Sequence, residues 1–251
     1  MIVAHVRGHR VRAEALDEHA QASWLHRIDA RAKLVGILGF VIICALMTNS
    51  VLIFSSLVFS VLFAALSQIP GKHLVKAYLG ALPFILMASV SVSAFSGPER
   101  GLDMWGRTSA CVVPLLVLAS GTETYELFSG LRRLHMPTLI TTLLMLTYKY
   151  LLLMSEEMAR MSIARRARGF RPGKSLLDRY GLSVLSYTAG MIFMRSSDRG
   201  ERSYEGLRAR GFTKEFPIWS RSRVGVPDIS FMAVFLVLSV ALATLQLGVV
   251  L

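Results

Sequence analysis

Five apolar runs leave this chain few folds to choose from. They are Leu34–Met47, Val51–Ile69, Tyr78–Phe95, Thr108–Ser120 and Ile229–Leu251. A bilayer's hydrocarbon core of about 30 Å asks for about 20 helical residues, with a range of roughly 17–25. The second, third and last runs meet that length. The first and fourth need flanking residues, Ala30–Lys33 and Trp105–Arg107, with their Lys and Arg side chains snorkelling to the interface. The hydrophobic fraction of 53% also exceeds the roughly 45–50% of ordinary soluble domains. The predicted fold class is an all-α polytopic membrane protein.

Charge orients the runs. Residues 1–33 carry six Lys/Arg and four acids, and apolar character begins only at Leu34, so the N-terminus does not read as a cleavable signal peptide. The net charge is +12, and 18 of the 28 Lys+Arg lie between Thr122 and Pro227. Two further apolar stretches, Pro137–Met154 and Gly181–Met194, are ambiguous. If each spanned, Ser155–Arg179, with seven Lys/Arg and three acids, would lie outside, against the positive-inside bias. If neither spans, residues 1–33, 71–76 and 122–227 all lie inside, while Asn49-Ser50 and Gly97–Arg107 lie outside. The reading is therefore a cytoplasmic segment 1–33, four spans within 34–121, a cytoplasmic insertion 122–227 and a final span 228–251.

The insertion reads as helices. Thr138–Arg168 holds no Pro or Gly, and Gly169 then stops the helix, with Pro172-Gly173 beyond. A second helix is expected from about Ser175 to Arg210, stopped by Gly211. Both helices end in the same five residues: Arg166-Ala167-Arg168-Gly169-Phe170 and, 42 positions later, Arg208-Ala209-Arg210-Gly211-Phe212. Ser155/Ser197, Glu156/Asp198 and Arg160/Arg202 match at the same offset. One or two cations would suit the negative end of a helix dipole. Here Arg165, Arg166 and Arg168 crowd one end, and Arg208 and Arg210 the other. Crowded like charges point to an acidic partner, and the planar fork of Arg pairs well with carboxylates.

Other constellations are weaker. Gly169–Ser175 evokes a phosphate-binding loop, but the spacing would need Gly where Arg168 stands. His5 and His9, at i,i+4, could face a metal together, although a solvated tail accounts for them and for His19 and His26. Glu156, Glu157, Glu201 and Glu205 sit at helical spacings from Arg160, Arg202 and Arg208, which suggests intrahelical ion pairs. Met145, Met154, Met158 and Met161 could give an adaptable sliding surface. Cys44 and Cys111 suggest packing, with no disulfide framework. The basic segment could also bind anionic lipid or nucleic acid, but that reading does not ask for two identical corners.

With these residues in place, the chain resembles the transmembrane T component of energy-coupling-factor (ECF) transporters, in particular the cobalt-type, CbiQ-like branch. That family carries two Ala-Arg-Gly motifs at the ends of cytoplasmic coupling helices, matched by Ala167-Arg168-Gly169 and Ala209-Arg210-Gly211. Asp29-Ala30-Arg31-Ala32-Lys33 resembles the family's Asp-Pro-Arg-x-Lys before the first span, with Ala30 where Pro is usual. Leu146–Tyr150 and Glu156-Glu157 lead into the first motif as in the family. Phe193-x-Arg195-Ser196 and Glu201-Arg202-x-Tyr204-Glu205 lead into the second.

The resemblance implies a non-catalytic subunit of an importer in the bacterial inner membrane, with a cytoplasmic N-terminus. The docking residues would be Arg166, Ala167, Arg168, Gly169, Arg208, Ala209, Arg210 and Gly211. Two ATP-binding-cassette (ABC) ATPase subunits would bind the ATP, so this subunit would hold no cofactor and no metal of its own. A metal-binding S component in the same bilayer would be moved by the coupling helices, and no nucleic acid would be involved. Cobalt is the expected cargo, with nickel or a vitamin as alternatives.

Overall fold

The computed structural model describes residues 28–134, 136–169, 179–212 and 225–250. Eight helices are described: α1 (Ala30–Leu46), α2 (Ser50–Leu66), α3 (Gly71–Ser96), α4 (Pro98–Ser120), α5 (Thr124–Arg133), α6 (Thr138–Ala167), α7 (Arg179–Ala209) and α8 (Val226–Val250). No strand occurs among the described residues. The chain divides into two compact units. One is a bundle of α1–α5 and α8, and the other is the pair α6 and α7.

In the bundle, α1 starts four residues before the apolar run it carries. Asp29 is its N-cap and accepts a hydrogen bond from the Arg31 N–H at 3.2 Å. Asn49 caps α2 in the same way through Val51 N–H. A single residue joins α3 to α4: Gly97, at φ 96°, a conformation that disfavours any side chain. The expected external loop Gly97–Arg107 is thus helical from Pro98 onward. Proline suits a first helical position, and Glu99 in the first turn complements the dipole.

The bundle packs by close approach of small residues and by buried serines. Gly101 meets Ser93 and Ser89 of α3, Gly106 meets Ile53 of α2, and Gly36 meets Phe235 of α8. Ser89 Oγ donates to the Gly101 carbonyl at 2.7 Å, and Ser60 Oγ to the Ala110 carbonyl at 3.0 Å. Without a hydrophobic drive between helices in lipid, such contacts supply the packing. A buried aromatic cluster of Phe40, Phe63, Phe231 and Phe235, joined by Phe59, ties α1, α2 and α8 together. Ring centroids in it lie 4.8–5.9 Å apart, at edge-on or tilted angles.

α8 runs parallel to α1 and is bonded to it at both ends. Asp228 Oδ1 accepts the Asp29 N–H at 2.6 Å, and Gln246 Nε2 donates to the Leu46 carbonyl at 3.1 Å. Those two side chains are 18 positions apart, about 27 Å of helix, close to the thickness of a hydrocarbon core.

Four described helices, α3, α4, α6 and α8, are long and apolar enough to cross a membrane, and α2 is a shorter apolar helix. The protein is a multi-pass membrane protein. By length and composition α6 belongs among the candidate spans, although charge had assigned its apolar stretch Pro137–Met154 to the cytoplasmic insertion. The boundary of that insertion also differs. The stretch from Thr122 to the end of α5 packs into the bundle, with Gly130 against Ala30 and Leu34, and the second unit begins at Met136.

Candidate docking site at two helix ends

The repeated pentapeptide forms a specific C-terminal helix stop. At the end of α7 the Gly211 N–H donates to the Arg208 carbonyl and the Phe212 N–H to the Leu207 carbonyl, both at 3.0 Å. That pair of bonds is the Schellman motif, with Gly211 in the left-handed conformation at φ 67°. At the end of α6 the Gly169 N–H donates to the Arg166 carbonyl at 3.0 Å, and Gly169 has φ 81°. Phe170 lies outside the described residues. The glycines answer to the positive φ of the backbone and not to crowding, for an added Cβ at either would meet nothing within 4 Å. Alanine at Ala167 and Ala209 continues each helix to its last residue at minimal width.

The arginines have no such structural requirement. Arg166, Ala167, Arg168 and Gly169 are exposed, and so are Arg208, Ala209, Arg210 and Gly211. Arg165, counted above with the first cluster, behaves differently. Its guanidinium bonds Thr188 Oγ1 of α7, and its Nε reaches back to the Met161 carbonyl at 3.4 Å. Removing it from the cluster leaves two exposed arginines at each end, in matching positions.

α6 and α7 pair antiparallel. Arg165 meets Thr188, and Glu157, about two turns earlier in α6, forms an ion pair with Arg195, about two turns further along α7. Glu157 thus pairs between helices, where an intrahelical pair was expected, because Arg195 projects from α7 at the level of its carboxylate. Glu156 does pair within its helix, with Arg160 at 3.8 Å. Arg202 Nε bonds the Asp198 carbonyl at 3.3 Å, within its own helix. Met161 and Met191 line the groove between the helices with Arg168 and Val184.

Because the helices are antiparallel, their Arg-bearing ends face opposite ways along the pair. Arg168 borders the same groove as Val184, and Arg210 is 26 positions beyond Val184 in α7, about 39 Å of helix axis. The structure does not bring the two corners into one site; it separates them into two.

The Asp29–Lys33 segment occupies a second polar site, within the bundle. Lys33 is fully buried, and its Nζ donates to Thr122 Oγ1 at 3.5 Å, so it does not snorkel. Asp29, Asp228 and Glu126 supply negative charge around the ammonium. Asp29 Oδ2 lies 3.8 Å from the Arg133 guanidinium at the end of α5. Asp228 Oδ2 accepts the Gly225 N–H at 2.6 Å while Oδ1 takes that of Asp29. Asp228 and Arg133 were missed in the sequence. The only available signal for Asp228 was its place as an acid directly before an apolar run. The four N-terminal histidines lie outside the described residues.

Comparison with known proteins bears on both sites. Residues 21–218 match the family described as CbiQ, cobalt transport protein. The cobalt transport protein CbiQ of Rhodobacter capsulatus is 30% identical over 244 residues, 92% of this chain and 96% of that protein. Two uncharacterised proteins of Methanocaldococcus jannaschii are also similar. MJ1089 is 29% identical over 59% of this chain and 54% of its own length. MJ1571 is 20% identical over 90% and 84%, respectively.

Proposed function

The chain belongs to the CbiQ family of cobalt transport proteins, and on that premise we propose that it is the coupling T subunit of an ECF-type ABC importer. The observation that carries this reading is the pair of exposed, Arg-bearing helix ends, built alike and about 39 Å apart along the α6–α7 pair. Two equivalent docking points suit two copies of one partner. In the proposal each end enters an acidic groove on one of two ABC ATPase subunits, Arg168 in one and Arg210 in the other. Arg166 and Arg208 stand at the same relative positions and add a second cation at each contact. ATP binding and hydrolysis belong to those partners, and this subunit carries no catalytic residue.

Closing of the ATPase dimer changes the separation of the two tips. The antiparallel pair, tied by Arg165–Thr188 and Glu157–Arg195, then moves as a lever and passes the motion to a metal-binding S component in the membrane. In this reading residues 136–218 are the cytoplasmic coupling unit, the N-terminus is cytoplasmic, and the cargo is Co2+. The membrane is the bacterial inner membrane.

The test is charge reversal. Arg168→Glu and Arg210→Glu, singly and together, are introduced into protein co-expressed with its ATPase subunits and S component. Each single change is expected to reduce ATPase co-purification at least tenfold, and the double change to abolish uptake of radioactive cobalt. Full co-purification and uptake by the double variant sinks the proposal. Competition by excess nickel against cobalt in the same assay tests the choice of cargo.

A further inference from the structure

Along the whole of α3 only Ile85 is buried. On one side of it, α2, α3 and α4 enclose an open apolar groove of about 330 Å³. Val61 and Ala64 of α2, Val75 and Tyr78 of α3, and Trp105 and Leu116 of α4 line it. On its wall Tyr78 Oη and the buried Ser109 Oγ lie 2.8 Å apart and satisfy each other.

Length and charge pick the occupant. From Trp105 to Leu116 the groove follows 11 positions of α4, about 16 Å of helix axis. One leaflet is half of a hydrocarbon core of about 30 Å, or about 15 Å. A partner helix crossing the bilayer would ask for twice that length, whereas an acyl chain of one leaflet fits it. The groove reaches the α2–α3 end of the bundle. Ala64 lies two residues before the end of α2, and Val75 one turn into α3. Lys72 and Lys76 stand at that end, both exposed, and residues 51–98 contain no Asp or Glu. Lys72 precedes Val75 by three positions, which makes the two neighbours on the helix surface. A second apolar groove, bordered by Phe63 of α2 and Val234 of α8, has no Lys or Arg on either helix.

We propose that the groove between α2, α3 and α4 holds one acyl chain of an anionic phospholipid, whose phosphate is bound by Lys72 and Lys76. Basic residues at headgroup level beside a cleft between membrane helices supply this chemistry. The lipid fills a gap in the bundle that the side chains leave open. The site stands apart from the coupling role proposed above and does not depend on it.

The experiment uses Trp105 as its reporter. Trp24→Phe and Trp219→Phe leave it the only tryptophan in the full chain. That protein is reconstituted in phosphatidylcholine vesicles. Increasing fractions of phosphatidylglycerol, or of phosphatidylcholine, carry brominated acyl chains that quench tryptophan on contact. Each lysine near a headgroup layer favours an anionic lipid about fivefold. Brominated phosphatidylglycerol is therefore expected to reach half its full quenching at a mole fraction at least fivefold lower than brominated phosphatidylcholine. Changing Lys72→Gln and Lys76→Gln together should bring the two midpoints within twofold. Val61→Phe fills the groove from an exposed position, keeps both lysines, and serves if the lysine variant fails to reconstitute. It should lower the maximal quenching at least twofold, and unchanged quenching there overturns the site. Equal midpoints with both lysines present also overturn it, because the groove then meets only bulk lipid. A preference that survives loss of both lysines does the same. So does loss of quenching on co-reconstitution with a membrane partner subunit, which would make the groove a protein contact.

Discussion

Gly211 carries a side-chain-free, left-handed turn that an L-residue adopts at a cost of about 1–2 kcal/mol. Gly211→Ala is expected to open the helix end, speeding amide exchange at Phe212 about tenfold, because that N–H closes the turn on Leu207. Gly211→Asn, which tolerates the same backbone, should change it far less. Mass-spectrometric hydrogen exchange over the segment checks both. At this scale the sequence was readable where the chemistry is local. Glycine as a helix stop, and arginine beside it, need no knowledge of the fold. The role of Arg165 does need it: its partner Thr188 lies 23 positions away on another helix and is not part of the repeated pattern. Lys33 was misjudged for the same reason. Its burial depends on Thr122, Asp228 and Glu126, which converge on it only once the bundle has formed.

The α3–α4 hairpin shows how far periodic pattern can mislead about an element's length. Glu99, Arg100, Asp103 and Arg107 look like a charged loop, yet the helix runs through them. Its first turns have Gly101 against α3 and Asp103 bonded to Ser50 Oγ at 2.9 Å. A Cβ at Gly101 would lie 2.6 Å from the Ser93 Cβ, so Gly101→Val must push the two helices apart. Overpacking of this kind typically costs about 1–3 kcal/mol. The expected outcome is a lower melting temperature in detergent and a smaller monodisperse fraction on size exclusion, whereas Gly39→Val, with nothing nearby, should change neither. The ends of α6 and α7 were legible to within a residue because Gly marks both. The end of the insertion at α5 was not, because a short amphipathic helix reads as polar whether it packs on the bundle or extends from it.

Across the molecule, connectivity constrains the sidedness. Successive helices α1 to α4 alternate, and Thr122, Arg133 and Gly225 all gather at the Asp29 end of the bundle. The described residues that flank the segment between α5 and α8 therefore lie at one end of the bundle. In a background carrying Cys44→Ala and Cys111→Ala, Glu99→Cys is expected to react with a membrane-impermeant thiol reagent in intact cells. Arg199→Cys is expected to react only after permeabilisation. The opposite pattern inverts the orientation, and labelling of both in intact cells would place α7 outside. The number of helices in the membrane was hard to read from the sequence. α6 has the length and composition of a span and the charge of a cytoplasmic helix, and composition and charge point in opposite directions there.

The bond between Asp29 and Asp228 joins residues 199 positions apart. During synthesis the first helix therefore enters the bilayer long before its cap partner exists, with Lys33 still lacking Thr122 and Asp228. The protein is sewn shut from its far end: the last helix supplies the final stitch to the first. A nascent chain that stops short of α8 keeps an open, charged mouth at its base. That is a physical mark by which an unfinished chain differs from a completed one.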